Sequence, residues 1–419
     1  AASDVYKRQM RKRVYSLVLC ALLAASLLLS GCGRGIETEA ETDAKDSVSD
    51  SLQKKIYQVF EPKKEEIPEA DALQYVNGEY IPYGYESLTE NQQKLYRQLL
   101  NGILEYKDMV TVDYCTEEDI NLVNNMVFVD HPEFFWLDQQ SYTFQGDADA
   151  DTAGSVDLQL VYNIDKSEIE SAKAGIEAAA DQWISQVPPD TDTYGKIKYI
   201  YEFLSQNIAY DQSCPNNQNI QSVFLNQVTV CAGFSKATQY LLGKMGIFCT
   251  LVTGTAAPNN EEHAWNLVKI GDHYYYVDTT WANPGFSETQ EGVVVQEISY
   301  TYLCCDASTL LATHTPDDLL PLPETVDDSY NYYKMNGTWY SYYDENEIYH
   351  ILTNSIWEGK EREDFKFADA ESYQQAVAAM VNGDLIERAV REAYQFGEGE
   401  TYQWNIGYSD EDKLLTVYW

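Results

Sequence analysis

VCAGFSKATQYLLGKMGI (residues 230–247), followed by EHAWNLVKIGDHYYYVDTTWANP (262–284), decides how the rest of the chain is read. In the first stretch Cys231 precedes Gly233, and Ala237, Tyr240, Leu241 and Met245 recur at three or four residues. That spacing predicts a helix with Cys231 in its first turn, where exposed N–H groups carry partial positive charge and favour a thiolate. In the second stretch His263 begins an alternating segment that ends at Ile270, and Gly271-Asp272 separates it from HYYYVDTTW. With those two residues as the turn, Ile270 pairs with His273, which sets Trp265 opposite Asp278 and His263 opposite Thr280. His263 and Asp278 then become diagonal neighbours on one face, ~7–8 Å apart at the backbone. A loop one residue longer or shorter would send them to opposite faces.

Each residue alone has a plainer reading. A lone cysteine is usually a small buried hydrophobe, a lone histidine a satisfied structural ring, and Asp278 alone a strand-end cap. Together they form an acyl-transfer relay. A carboxylate accepts from one imidazole nitrogen, and the other nitrogen takes a thiol proton and later delivers it to a leaving amine. The three segments VCAGFSKATQYLLGKMGI, EHAWNLVKI and YYYVDTTWANP, in that order, resemble the core of the transglutaminase-like superfamily of papain-type folds. The Cys-to-His interval is 32 residues and the His-to-Asp interval 15, whereas papain-like proteases separate Cys and His by ~130 or more. The close likeness covers about 195–285, and YTYLCCDASTLLATH extends it loosely to about 325. DHPEFFW, further upstream, is similar to extensions of bacterial surface members.

The resemblance implies that Cys231 is the nucleophile, His263 the general base and acid, and Asp278 the group that orients His263. It implies Trp265 and Trp281 as walls of the substrate site and the Cys231 N–H as an oxyanion donor. Neither Gln227 nor Gln221 matches the spacing of the glutamine that papain-type enzymes use as a side-chain donor. Cys249, inside the apolar stretch IFCTLV, and Cys214, before Pro215, lack a histidine and carboxylate at useful spacing. His131, His273 and His314 attract attention without a matching pattern. Asp147, Asp149 and Asp151 lack the Gly and Glu of a calcium loop and read as an acidic turn. No metal and no organic cofactor is implied.

Working outward, Thr89 and Gln92 fit a capping box ahead of a stripe of Leu95, Leu99, Leu100, Ile103 and Leu104, and Thr116 opens a second helix. FFW (134–136) and SVDLQLVYNI (155–164) read as strands, 166–187 as a helix, and Tyr194–Asp211 as an amphipathic helix. Beyond residue 325, YNYYKM, Asn336-Gly337 and TWYSYYD predict a hairpin with a type I′ turn, followed by a helical region at 370–394 and two final strands, YQWNIGYS and LLTVYW. The expected class is α+β. A transglutaminase-like core spans 191–325, with its cysteine at a helix N-terminus packed on an antiparallel sheet. An α/β extension occupies 76–190 and a small aromatic-rich α+β domain 326–419.

Residues 1–31 read as a signal region. Lys7, Arg8, Arg11, Lys12 and Arg13 precede an apolar run, Val14–Leu29, that ends in Leu29-Ser30-Gly31-Cys32. This resembles a bacterial lipoprotein signal with its lipobox at 29–32, which implies acylation of Cys32 and an extracytoplasmic, membrane-anchored protein. Ala1–Gln9 read as an artefact ahead of a start at Met10. Residues 32–75, acidic and poor in apolar side chains, suit a disordered linker.

The chain carries 28 Lys plus Arg against 67 Asp plus Glu in 419 residues, a net charge of −39. Without residues 1–31, which hold five cations and Asp4, 23 basic and 66 acidic residues remain, or −43. Such a charge opposes nucleic-acid binding, which needs clustered cations. Outside residues 1–32, Cys115, Cys214, Cys231, Cys249, Cys304 and Cys305 show no repeated spacing, and the adjacent pair reads as two buried thiols.

The leading expectation is hydrolysis of peptide or side-chain amides through a thioester, with protein or peptide substrates. Protein cross-linking is the alternative, and a non-catalytic surface-binding protein that keeps the fold is another. An arylamine N-acetyltransferase has the same relay order, but its arginine- and glycine-rich approach to the cysteine is missing. The oligomeric state is not set by the sequence.

Overall fold

A computed structural model describes residues 82–138, 143–145, 155–282, 298–395, 404–410 and 412–419. The lipobox, the linker and the Asp147–Asp151 turn lie outside them. No helix among the described residues is long and apolar enough to cross a membrane.

The described residues begin with α1 (Tyr83–Ser87), α2 (Glu90–Leu104), β1 (Met109–Asp113) and α3 (Glu117–Asp130). Both expected caps are present. Gln92 Oε1 accepts from the Thr89 N–H at 3.0 Å, and Thr116 Oγ1 accepts from the Asp119 N–H at 3.1 Å. A three-stranded sheet follows, in the order β1-β3-β2, with β2 at Thr143–Gln145 and β3 at Ser155–Gln159. FFW is not a strand. Phe134, Phe135 and Trp136 lie in turns and are buried among Phe134–Trp136 and His131–Phe134 ring contacts, so the aromatic run fills the core from a loop.

Two long helices, α4 (Lys166–Ile184) and α5 (Thr193–Asn207), lead into β4 (Ala209–Tyr210), a π-helical turn (Ser222–Asn226) and β5 (Val228–Thr229), which pairs parallel with β4. Helix α6 (Cys231–Lys244) starts directly after β5. It packs on an antiparallel sheet of β6 (Cys249–Ala256), β7 (Glu261–Ile270), β8 (His273–Val277) and β9 (His314–Pro316), in the order β8-β7-β6-β9. Between β8 and β9 lies the short α7 (Ala307–Leu310).

The β7–β8 hairpin has the expected register, Ile270 opposite His273 and Asn266 opposite Val277, and Gly271 occupies the turn with φ +60°. Both faces of this sheet are covered. Leu251, Ala264, Val268, Tyr275 and Val277 join the large core that also holds Phe234, Ala237 and Leu241 of α6, while Val252, Trp265, Leu267 and Tyr276 pack with Tyr302, Cys305 and Leu310. The large core runs from Tyr85 to Tyr333.

The C-terminal part has α8 (Tyr332–Met335), β10 (Trp339–Tyr340), α9 (Glu345–Trp357), β11 (Arg362–Phe367), α10 (Ala370–Met380), α11 (Leu385–Tyr394), β12 (Asn405–Ser409) and β13 (Leu414–Tyr418). Its sheet order is β10-β11-β13-β12. The expected Asn336-Gly337 hairpin does not form. Asn331 Oδ1 accepts from the N–H groups of Tyr333 and Lys334, capping a turn of helix, Gly337 closes that helix with φ +71°, and β10 pairs parallel with β11 instead. A second cluster, from Ile348 to Val417, forms the core there. The fold is mixed α+β with an antiparallel central sheet.

Candidate active site

Cys231 is the first residue of α6 and is partly exposed, with Val230 in extended conformation before it. The turn that aims it is held from below. Thr229 Oγ1 donates to the Asn217 carbonyl at 2.7 Å and accepts from Ser222 Oγ at 2.9 Å. Gly233, one turn into the helix, lies so close that a Cβ there would sit 1.8 Å from Thr229 Oγ1. Ser235 Oγ donates to the Ala264 carbonyl at 2.8 Å, and Asn266 Nδ2 donates to the Ser235 carbonyl at 3.0 Å, fastening α6 to β7.

His263 stands near the start of β7, opposite Gly254 of β6, and Asp278 follows the last residue of β8. The two side chains meet as the hairpin register requires: His263 Nε2 lies 2.8 Å from Asp278 Oδ2. Cys231 interacts electrostatically with the same ring, and the contact at Nε2 leaves Nδ1 as the nitrogen open to a thiol. Asp278 is fully buried, and its Oδ1 accepts from the Thr280 N–H at 2.9 Å and the Trp281 N–H at 3.3 Å.

Burial disfavours both charges, and mutual attraction overcomes it. Against desolvation, the Asp278 carboxylate and then Cys231 hold His263 well above the ordinary imidazole range. Against its own desolvation, Asp278 is held well below the usual carboxylate range, by His263 first and His314 next. Each charge therefore stabilises the other.

The two expected walls differ. Trp281 is half-buried, with its ring centroid 5.8 Å from that of His263. Trp265 is fully buried at 6.0 Å, so it backs the histidine and presents no surface to a substrate. The competing residues lie elsewhere. Cys249 is buried in β6, Cys304 and Cys305 are buried free thiols, and Cys214 Sγ contacts the Pro215 and Val228 carbonyls from its loop. His131 pairs with Glu133 at 2.8 Å, and His273 is exposed at the hairpin turn.

His314 belongs to the site. Its Nε2 lies 3.2 Å from Asp278 Oδ2, and its ring is 5.3 Å from that of His263. It arrives on a three-residue edge strand with no periodicity, so its placement had no local signal. The only usable hint was a histidine closing the stretch that follows the hairpin. His263, Asp278 and His314 offer three ligand atoms within 4.8 Å of one another. A tetrahedral ion with bonds of ~2.0–2.2 Å spaces its ligands by ~3.3 Å or more. The 2.8 Å contact is too short for that and is a hydrogen bond.

Comparison with known proteins bears on this stretch. The model of the transglutaminase-like superfamily matches residues 181–279, which contain Cys231, His263 and Asp278. Residues 181–279 are thus similar to the core of that superfamily. Mouse kyphoscoliosis peptidase is 21% identical over 191 residues, 41% of this chain and 28% of that protein, so the chain spans less than a third of that relative's length. Among solved structures, a TGase covers 36% of this chain and 47% of its own at 14% identity and TM-score 0.25. A putative cysteine protease from Cytophaga hutchinsonii covers 34% of this chain and 63% of its own at 14% identity and TM-score 0.24. The matched segment ends one residue after Asp278, so His314 lies beyond it.

Proposed function

We propose that this chain is a cysteine-dependent acyl-transfer enzyme that hydrolyses peptide or side-chain amides. The reading is supported by one observation: a single imidazole bonded through Nε2 to a buried carboxylate, with the cysteine that opens α6 interacting electrostatically with the same ring. In this mechanism His263 takes the Cys231 proton, and the sulfur attacks the amide carbonyl. The oxyanion is met by the Cys231 N–H, one of the helix's unpaired first-turn donors. The C–N bond breaks as His263 returns the proton to the leaving amine, and a thioester remains. Water, deprotonated by His263, then releases the acid and restores the thiol. Asp278 keeps the ring oriented and stabilises its charged form.

The partly exposed thiol favours water as the acceptor, since a cross-linking enzyme must shield the thioester from bulk solvent. The strongly acidic chain favours cationic or neutral substrate segments. Acylation at Cys32 and anchoring outside the cytoplasm complete the proposal; incorporation of a labelled fatty acid into wild type and not into Cys32→Ala tests that part.

The activity is tested by incubating the protein and Cys231→Ala with peptides containing glutamine and lysine and reading product masses. Hydrolysis adds water across a backbone bond or converts glutamine to glutamate. Cross-linking joins two peptides with loss of ammonia and would reassign the acceptor. Products equally abundant with Cys231→Ala would remove the nucleophile and the proposal with it.

A further inference from the structure

Asp278 Oδ2 is shared between two rings, His263 Nε2 at 2.8 Å and His314 Nε2 at 3.2 Å, and a relay of thiol, imidazole and carboxylate uses only the first. His314 is almost fully buried, and its other nitrogen is also engaged. Nδ1 lies 2.8 Å from Thr313 Oγ1, which in turn lies 2.8 Å from the Tyr302 hydroxyl. Thr313 Oγ1 also lies 3.3 Å from the Leu310 carbonyl, a longer contact than the one to Nδ1. With Tyr302 donating to Thr313 and Thr313 giving its one proton to the closer Nδ1, the ring's proton is seated on Nε2, facing Asp278.

The fold provides for this contact. His314 pairs with Ala256 and Pro316 with Gly254, while Gly254 pairs with His263, so both histidines lie on one face of the sheet. Gly254 lets the edge strand close. A Cβ there would meet the Thr315 carbonyl oxygen at 2.1 Å and the Trp265 ring at 2.7 Å.

We propose that His314 is a positioning residue that holds the same Asp278 oxygen as His263 and sets the pH at which the Cys231–His263 pair loses its proton. The inference rests on the reading of Cys231, His263 and Asp278 as an acyl-transfer relay. A carboxylate oxygen with two donors is a weaker base than one with a single donor, so His314 limits how tightly Asp278 retains the imidazolium. Removing the donor leaves Asp278 freer to rotate and more basic. The remaining titratable groups that face this carboxylate are Tyr201 of α5, Tyr210 of β4 and Cys305 before α7, with Cys231 of α6 on the far side of the ring. All stay unchanged in the variants below.

The test is the rate of Cys231 carboxymethylation by iodoacetate against pH, on the full chain. The reagent is an anion, so the rate rises as the thiol ionises and falls as the imidazolium loses its proton, a bell. His314→Leu moves the alkaline limb up by about one pH unit, the size expected for one hydrogen bond to a charged group. His314→Gln, whose amide N–H has similar reach, restores the wild-type limb. Thr313→Val, which frees Nδ1 to carry the proton, moves the limb in the same direction by less.

A ring that only fills space against Trp281, 4.6 Å away, would lower the melting temperature and leave the limb in place. A folded His314→Leu with the wild-type limb overturns the proposal, and if that variant does not fold, Thr313→Val with the wild-type limb does so. Wild-type Cys231 reacting no faster than Cys214 overturns the relay itself, an outcome visible before any variant is made.

Discussion

Gly233→Ala puts the packing beneath Cys231 to a quantitative test. Helix propensity alone favours alanine by up to ~1 kcal/mol, so an isolated helix would gain. Here the new Cβ meets Thr229 Oγ1 at 1.8 Å, Thr229 Cβ at 2.9 Å and the Asn217 carbonyl oxygen at 3.0 Å. Real Cβ contacts do not fall below 3.0 Å, so the helix and β5 must separate by at least ~1.2 Å. Rotating Thr229 is no remedy, because its hydroxyl is bonded to Asn217 and Ser222 and two of the three contacts would remain. Overpacking of this kind costs ~1–3 kcal/mol, which outweighs the propensity gain. A displacement of about 1 Å at a reacting group costs on the order of 10²-fold in rate.

Urea unfolding should therefore show Gly233→Ala less stable by ~1–2 kcal/mol, and Cys231 alkylation should slow by ten-fold or more. Thr229→Ala in the same chain should recover part of both losses, with a coupling of about 1 kcal/mol. Gly233→Ala as stable as wild type, with Cys231 reacting at the wild-type rate, would refute the reasoning.

Asp278→Asn leaves one acceptor oxygen, which cannot serve both the two rings and the Thr280 and Trp281 N–H groups, and turnover should fall by ~10³–10⁴-fold with Cys231 still present; a loss under ten-fold would show that His263 is oriented by something else. Gly254→Ala should lift β9 from β6 and lower stability by ~1–3 kcal/mol, read in a thermal melt, whereas an unchanged melt would mean the strand edge yields freely. The stability that His263 contributes should be fully present below its ordinary value of 6.5 and decline as pH rises through its raised folded value, so unfolding free energy should fall in wild type from pH 6.5 to about 8 and stay flatter in His263→Gln. Buried Lys236 opposes this. Burial lowers it from 10.5 to about 8, so between those values the unfolded chain binds the extra proton and stability rises with pH; Lys236→Met should remove that rise and expose the His263 slope.

The His263–Asp278 pairing was legible because its parts are local. A two-residue turn fixes the register of β7 and β8, and the register fixes which of their residues share a face, so His263 and Asp278 could be paired by counting. Cys231 was marked by helical spacing that begins beside it. What was misread depends on packing that periodicity does not encode. FFW has strand-like composition, yet its rings fill the core from turns. Asn336-Gly337 has hairpin composition, yet Asn331 caps a helix just before it. Strand β11, REDFKF, has four charged residues in six and was not singled out in the sequence, yet Glu363 is buried against Lys360 at 3.0 Å and Asp364 against Arg362 at 2.7 Å. His314 needed the whole sheet to be assembled, because it reaches Asp278 from an edge strand 36 residues away.

The central claim is that the sulfur at the start of α6 becomes acylated and is relieved by a second reactant. Intact-mass analysis after rapid quenching with an activated amide or ester substrate measures this directly. The account predicts one acyl group per chain, mapped to the Cys231 peptide, released by hydroxylamine and lost in Cys231→Ala and His263→Ala. An acyl group on another residue, or turnover that proceeds with Cys231 never modified, would contradict it.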